Sequence, residues 1–174
     1  APATNIHRTP FSGRNNEYYS EDAYMSGMMA LKTATGASEK GLYTFVKHFA
    51  LNEQETLRGD LGYEGVVTWA NEQSIREIYL KPFEICVKAE PVAMQYVTVD
   101  EDGSEVIGTT TTAACGGLMT SFNRIGATWA GGCYNLITNV LRNEWGFRGM
   151  VVTDANMYHE HMDTMQMMYA GGSG

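Results

Sequence analysis

The sequence predicts an α/β domain whose strands run parallel and are joined by right-handed helical crossovers. Short apolar runs that read as strands alternate with longer stretches of helical spacing. The run Met150-Val151-Val152-Thr153-Asp154, entered through Gly146-Phe147-Arg148-Gly149, reads as a buried strand that delivers a carboxylate at its C-terminal tip, where α/β proteins place catalytic groups. About four strands can be counted, roughly half of a (β/α)₈ barrel of about 250 residues, so 174 residues suit a partial barrel of roughly four β/α units.

Taken in order, Ala1 to Ile6 reads as the tail of a strand, and His7-Arg8-Thr9-Pro10 breaks into a loop. Ser20-Glu21-Asp22 supplies an N-cap and an acidic first turn for a helix from about Ser20 to Glu39, with Tyr24, Met25, Met28, Met29 and Leu31 at mixed helical spacing and the methionines as core filler. Gly41 to Val46 reads as a strand ending in Lys47-His48-Phe49, and Asn52 to Gly65 as a loop. A helix from Asn71 to Glu90 carries Ile75, Ile78, Tyr79, Phe83 and Ile85 on one stripe, and Pro82 kinks or divides it. Within Pro91 to Cys115, Val92–Val99 and Glu105–Thr112 flank Asp100-Glu101-Asp102-Gly103-Ser104, the pattern of a β-hairpin, with a disordered excursion as the alternative. Gly117 to Asn123 reads as a buried strand, Ala127 to Gly132 as a loop, Cys133 to Trp145 as a helix, and Tyr158 to Tyr169 as a Met-rich helix whose methionines pack.

A net charge of −8 without clustered Lys or Arg argues against nucleic acid or an anionic membrane as partner, and favours a neutral one. No apolar run approaches bilayer length. The 3 cysteines, Cys86, Cys115 and Cys133, lack metal-ligand spacing and read as buried free thiols, which suits a reducing, cytoplasmic setting. The chain opens on Ala1-Pro2 without an initiator Met, so it reads as a piece of something larger, whose targeting signal would lie elsewhere.

Asp154 has two readings, a helix N-cap or a catalytic carboxylate. Lys47 and His48 likewise either mark where a strand meets water or serve a site. His159-Glu160-His161 suggests a metal, but residues two apart on a helix face different ways, so surface histidines are the better account and no cofactor or metal is expected.

Five groups of residues carry a family resemblance. They are Asn5-Ile6-His7-Arg8; Gly13-Arg14-Asn15-Asn16-Glu17-Tyr18-Tyr19-Ser20-Glu21-Asp22; Lys47-His48-Phe49 with Asn52, Gln54, Glu55 and Arg58; Met119-Thr120-Ser121-Phe122-Asn123; and Asn143-Glu144-Trp145-Gly146-Phe147 through Asp154. In this order and over nearly the whole chain, they resemble glycoside hydrolase family 3 in its β-glucosidase branch. The resemblance implies an incomplete TIM-barrel catalytic domain over residues 1–174, followed in the full enzyme by an α/β sandwich domain that is absent here. It implies a retaining β-glycosidase with Asp154 as nucleophile; Arg14, Lys47, His48 and Arg58 hydrogen-bonding the sugar hydroxyls; and Met119 and Phe122 lining the pocket. The substrate would be a β-glucoside or oligosaccharide. The acid/base would come from the second domain, and a further sugar-binding Asp from upstream.

Three departures stand out. Ala155 follows the Asp where the family commonly has an aromatic residue, Phe122 replaces a frequent Tyr, and the Pro91 to Cys115 stretch is longer than the usual link. Ala50-Leu51-Asn52 after Lys47-His48-Phe49 disfavours the N-acetylglucosaminidase branch, which has Pro-Gly-His-Gly. Two alternatives remain: an inactive or weakly sugar-binding barrel fragment, and a Schiff-base aldolase using Lys47, which would leave Arg14, Arg58 and Asp154 unexplained.

Overall fold

A computed structural model of the chain describes residues 1–56, 58, 66–155 and 163–173. Its centre is a parallel sheet of three strands in the order β1 (Phe45–Phe49), β5 (Gly117–Thr120) and β8 (Met150–Val152). Ala3 forms a parallel bridge to Lys47, so the N-terminal segment runs along the free side of β1, as its strand-like sequence predicts. Among the described residues this sheet does not close into a barrel, in keeping with the partial barrel expected.

The register decides where the site lies. Phe49 pairs with Thr120, and Met119 pairs with Val152, so the C-terminal ends of all three strands are level. β1 begins later than its apolar run suggests and takes in Lys47, His48 and Phe49, because pairing with β5 extends through Phe49.

Helix α1 (Ala23–Ser38) is capped by Asp22, whose side chain accepts from the Met25 N–H at 2.6 Å, while Ser20 Oγ accepts from the Asp22 N–H. The expected methionine face is corrected. Met25 and Met29 are 56% and 51% exposed, and the helix instead buries Ser26, Gly27, Ala30, Ala34 and Ser38. These small residues let it approach α3 (Lys81–Val87) closely: a Cβ on Gly27 would lie 2.7 Å from Ile85 Cδ1 and 3.0 Å from Pro82 Cα.

The helix expected from Asn71 to Glu90 is divided. Asn71 caps α2 (Glu72–Ser74), a wide π turn follows over Ile75–Tyr79, and α3 starts anew after Leu80. Pro82 sits in the first turn of α3, where its missing N–H leaves no bond unmade. The hairpin β3 (Val92–Val99) and β4 (Glu105–Thr112) has the boundaries expected of it, with Gly103 at φ 86° in the turn. Outside that expectation is a small sheet of β2 (Val67–Thr68), β6 (Arg124–Ile125) and β7 (Thr128–Trp129). Strands of two residues leave no periodicity to read.

The core joins the sheet to the helices through Phe49, Phe83, Leu118, Trp129, Ile137, Leu141 and Val151. Phe49 meets Phe83 edge-on at 5.2 Å. A π-helix, Asn135–Glu144, buries Leu136, Ile137, Val140 and Leu141. The last helix, α4 (Thr164–Ala170), is capped by Asp163 and ends at Gly171, and Tyr158 to Met162 of its expected range lies outside the described residues. Its methionines only partly pack: Met167 is buried, whereas Met165 and Met168 are each 58% exposed. All three cysteines are free, and Cys133 is only part-buried. Among the described residues, no helix is long and apolar enough to cross a membrane.

Candidate active site

The level strand ends gather charge. Lys47 and His48 come from β1, Phe122 from the segment after β5, and Asp154 stands two residues past the end of β8. Two loops complete the site: the one before α1 carries Arg14 and Glu17, and the one after β1 carries Asn52, Glu55 and Arg58.

Asp154 is partly exposed. Its Oδ1 accepts from the Ala155 N–H at 2.7 Å, and its Oδ2 lies 3.5 Å from His48 Nε2. That same nitrogen is 3.1 Å from Arg14 Nη2. A guanidinium can only donate, so a His48 ring bonded to Arg14 offers Nε2 as acceptor and carries its proton on Nδ1. Burial, reinforced by the charges of Arg14, Lys47 and Arg58, pushes the His48 pKa down to about 2. The ring is therefore neutral, and with no proton on Nε2 its approach to Asp154 is neither an ion pair nor a hydrogen bond. His48 Nδ1 has no hydrogen-bond partner among the described residues.

The cations are linked by carboxylates. Glu17 Oε1 accepts from Arg14 Nε at 2.7 Å, while its Oε2 faces Lys47 Nζ at 3.5 Å. Glu55 Oε2 accepts from Arg14 Nη1 at 2.9 Å, and its Oε1 accepts from Arg58 Nη2 at 2.9 Å. The result is an alternating ladder, Lys47–Glu17–Arg14–Glu55–Arg58, in which each carboxylate spends one oxygen on each of two cations. Three cations against two carboxylates leave it positive, and Asp154 sits at its edge. The Arg58 guanidinium also lies over the Phe122 ring, 4.7 Å from its centre.

Six of the seven residues singled out from sequence are thus linked, directly or through Glu17 and Glu55: Arg14, Lys47, His48, Arg58, Phe122 and Asp154. Met119 joins them only through the sheet, in register with Val152 and partly exposed. Sequence reasoning assigned no role to Glu17 and Glu55. The available signal was their spacing of three residues from Arg14 and Arg58 respectively.

The family model described as "Glycosyl hydrolase family 3 N terminal domain" matches residues 1–171. The chain belongs to glycosyl hydrolase family 3. A relative named beta-glucosidase A, from Butyrivibrio fibrisolvens, is 37% identical over 160 residues, which is 92% of this chain and 16% of that protein. An exo-alpha-(1->6)-L-arabinopyranosidase from Bifidobacterium longum is 36% identical over 160 residues, 91% of this chain and 17% of its own length. Among solved structures, beta-glucosidase 3B from Thermotoga neapolitana, in complex with glucose, superposes with a TM-score of 0.76 at 34% identity, covering 99% of this chain and 20% of that one. The family 3 chain thus spans about a sixth of the length of the Butyrivibrio relative.

Among the described residues of this family 3 chain, no group of three or more His, Cys, Asp or Glu converges as a metal site would require. His159, Glu160 and His161 lie outside the described residues, as does Tyr158.

Proposed function

We propose that the protein carrying this chain is a retaining β-glycosidase of β-glucosidase type, in which Asp154 is the nucleophile. The observation that carries the reading is Asp154 at a strand tip, 3.5 Å from a neutral His48 and at the edge of a cationic ladder. A sugar is neutral and rich in hydroxyls, so it is recognised by donors and acceptors in fixed places. Arg14, Lys47 and Arg58 donate to its hydroxyl oxygens, and His48 contributes a neutral ring that is fixed in place. Phe122 and Met119 line the less polar side.

The Asp154 carboxylate attacks the anomeric carbon and forms a glycosyl ester as the bond to the leaving oxygen breaks. A carboxylic acid about 5–5.5 Å away protonates that oxygen. Water then cleaves the ester, with the same group acting as base, and the configuration is retained. The ladder's hydrogen bonds assist the rate to the extent that they strengthen as the ring flattens toward the oxocarbenium-like state.

In this reading, residues 1–174 form part of a TIM-barrel catalytic domain of about four β/α units, and the acid/base comes from a second, α/β sandwich domain of the complete protein. The runner-up is a sugar-binding remnant. It is favoured for residues 1–174 alone by the open three-stranded sheet, and turnover of that piece is expected to fall by orders of magnitude. The deciding experiment treats the complete protein with a 2-deoxy-2-fluoro glycoside and maps the label by peptide mass spectrometry. Label on Asp154 is the expected result. Label elsewhere, or undiminished hydrolysis by Asp154→Ala, overturns the assignment.

A further inference from the structure

Beneath the site runs a line of buried polar side chains that the proposed chemistry does not use. Asn5 brackets the His48 peptide unit: its Oδ1 accepts from the His48 N–H at 2.8 Å, and its Nδ2 donates to the His48 carbonyl at 3.0 Å. The same Nδ2 reaches Glu53 Oε1 at 3.4 Å. Asn5, His48 and Glu53 are 0%, 1% and 2% exposed. Glu53 Oε2 has no hydrogen-bond partner among the described residues. A buried carboxyl with an idle oxygen costs free energy that an apolar side chain of the same size would not, so packing does not account for it.

We propose that Glu53, acting through Asn5, is a positioning residue that fixes the His48 backbone and so holds its ring between Arg14 and Asp154. Asn5 has a single amide group with which to serve two acceptors, the His48 carbonyl and Glu53. The Glu53 contact sets the direction of that amide and stops the Asn5 side chain from turning over. A misplacement of about 1 Å at a reacting centre can cost on the order of 10² in rate, so a distant anchor matters. The charged and titratable groups near Glu53 are the Arg8 guanidinium, whose charge favours the ionised carboxyl, and the Tyr18 phenol, whose own pKa burial pushes up. Burial raises the Glu53 carboxyl to about 7, over the opposing hydrogen bonds from Asn5 and the backbone. Protonated or not, the carboxyl keeps an acceptor oxygen for Asn5.

This inference rests on the reading of Asp154 as nucleophile, and its test separates the two. In the complete protein, the rate of Asp154 labelling by the 2-deoxy-2-fluoro glycoside, the affinity for the unreactive sugar and the melting curve are compared for wild type, Glu53→Gln and Glu53→Met. The Met variant keeps the size and loses the acceptor, and the Gln variant keeps both. The expected result is labelling slowed on the order of 10²-fold in Glu53→Met, with sugar affinity changed far less, and a rate restored close to wild type in Glu53→Gln. Wild-type labelling by Glu53→Met, or equal loss in Glu53→Gln, overturns the proposal. Should Glu53→Met not fold, Glu53→Ala replaces it with the same two outcomes, since it removes the acceptor and leaves both Asn5 bonds to the His48 backbone in place. Wild type that takes no label on Asp154 brings down the underlying reading before any variant is compared, and this inference with it.

Discussion

His48 Nε2 stands 3.5 Å from Asp154 Oδ2 and 3.1 Å from Arg14 Nη2, so one ring nitrogen separates a carboxylate from a guanidinium. A protonated ring would pair with the carboxylate and repel the guanidinium. The neutral ring does neither, and it leaves the carboxylate free of a charged lock. A group that must attack carbon gains from that arrangement, because a tight ion pair would have to be broken first.

The neutral state of His48 has a signature in stability. Its folded pKa is depressed to about 2 from an ordinary 6.5, so below pH 6.5 the unfolded chain binds a proton that the folded one refuses. The stability it contributes is complete above 6.5 and is lost as the pH falls toward 2, at up to about 1.4 kcal/mol per pH unit. Glu53 works in the opposite sense. Its folded pKa of about 7 lies above an ordinary 4.5, so the folded state holds a proton the unfolded chain has released, and stability falls as pH rises from 4.5 to 7. The two slopes offset each other between pH 4.5 and 6.5. Urea unfolding across that window should show a steeper loss of stability on acidification in Glu53→Gln than in wild type. Parallel curves would contradict the buried states assigned to these residues.

The ladder predicts a separation of function from stability. Glu55 holds Arg14 and Arg58 while its own side chain is 41% exposed. Glu55→Gln should therefore lower kcat/KM of the complete protein by about ten- to a hundredfold through misplaced cations. Unfolding stability should change by no more than about 1 kcal/mol, because the Glu55 side chain meets water and Gln keeps an acceptor oxygen for one guanidinium. Steady-state kinetics beside a denaturant titration tests both parts, and a matched loss of stability would recast Glu55 as structural.

Packing of α1 gives a prediction independent of chemistry. Gly27→Ala puts a Cβ 2.7 Å from Ile85 Cδ1 and 3.0 Å from the Pro82 backbone, and overpacking of this kind costs about 1–3 kcal/mol. Met25→Gln, on the exposed face, should stay within about 0.5 kcal/mol of wild type. Denaturant midpoints of the two variants decide the matter, and a reversed order would restore the methionine face as the core side.

That contrast also marks what could be read from the sequence. The hairpin was legible to the residue because its two β-rich arms and its turn are local signals. The gathering of Arg14, Lys47, His48, Arg58 and Asp154 was legible only through ordered motifs, since the loops that join them are set by tertiary contacts. Apolarity misled at α1, where a small-residue stripe, and not the methionines, sets the approach of two backbones. The carboxylate partners were hidden for a different reason. Glu17, Glu53 and Glu55 look alike in sequence, yet two bridge cations near the surface while the third is buried beside Asn5.

Removal of the nucleophile itself gives the sharpest test of stereochemistry. Asp154→Gly in the complete protein opens the space next to the anomeric carbon, where a small anion such as azide can enter from the face the carboxylate occupied. With an activated β-glycoside, whose leaving group departs without much acid help, a single displacement then inverts the configuration. The expected product is the α-glycosyl azide, with a rate that rises with azide concentration, while wild type gives the β-configured sugar by two displacements. Proton NMR of the anomeric signal distinguishes the two products directly. A β-glycosyl azide from Asp154→Gly would mean that another group still performs the first displacement, and Asp154 would then be a bystander at its own strand tip.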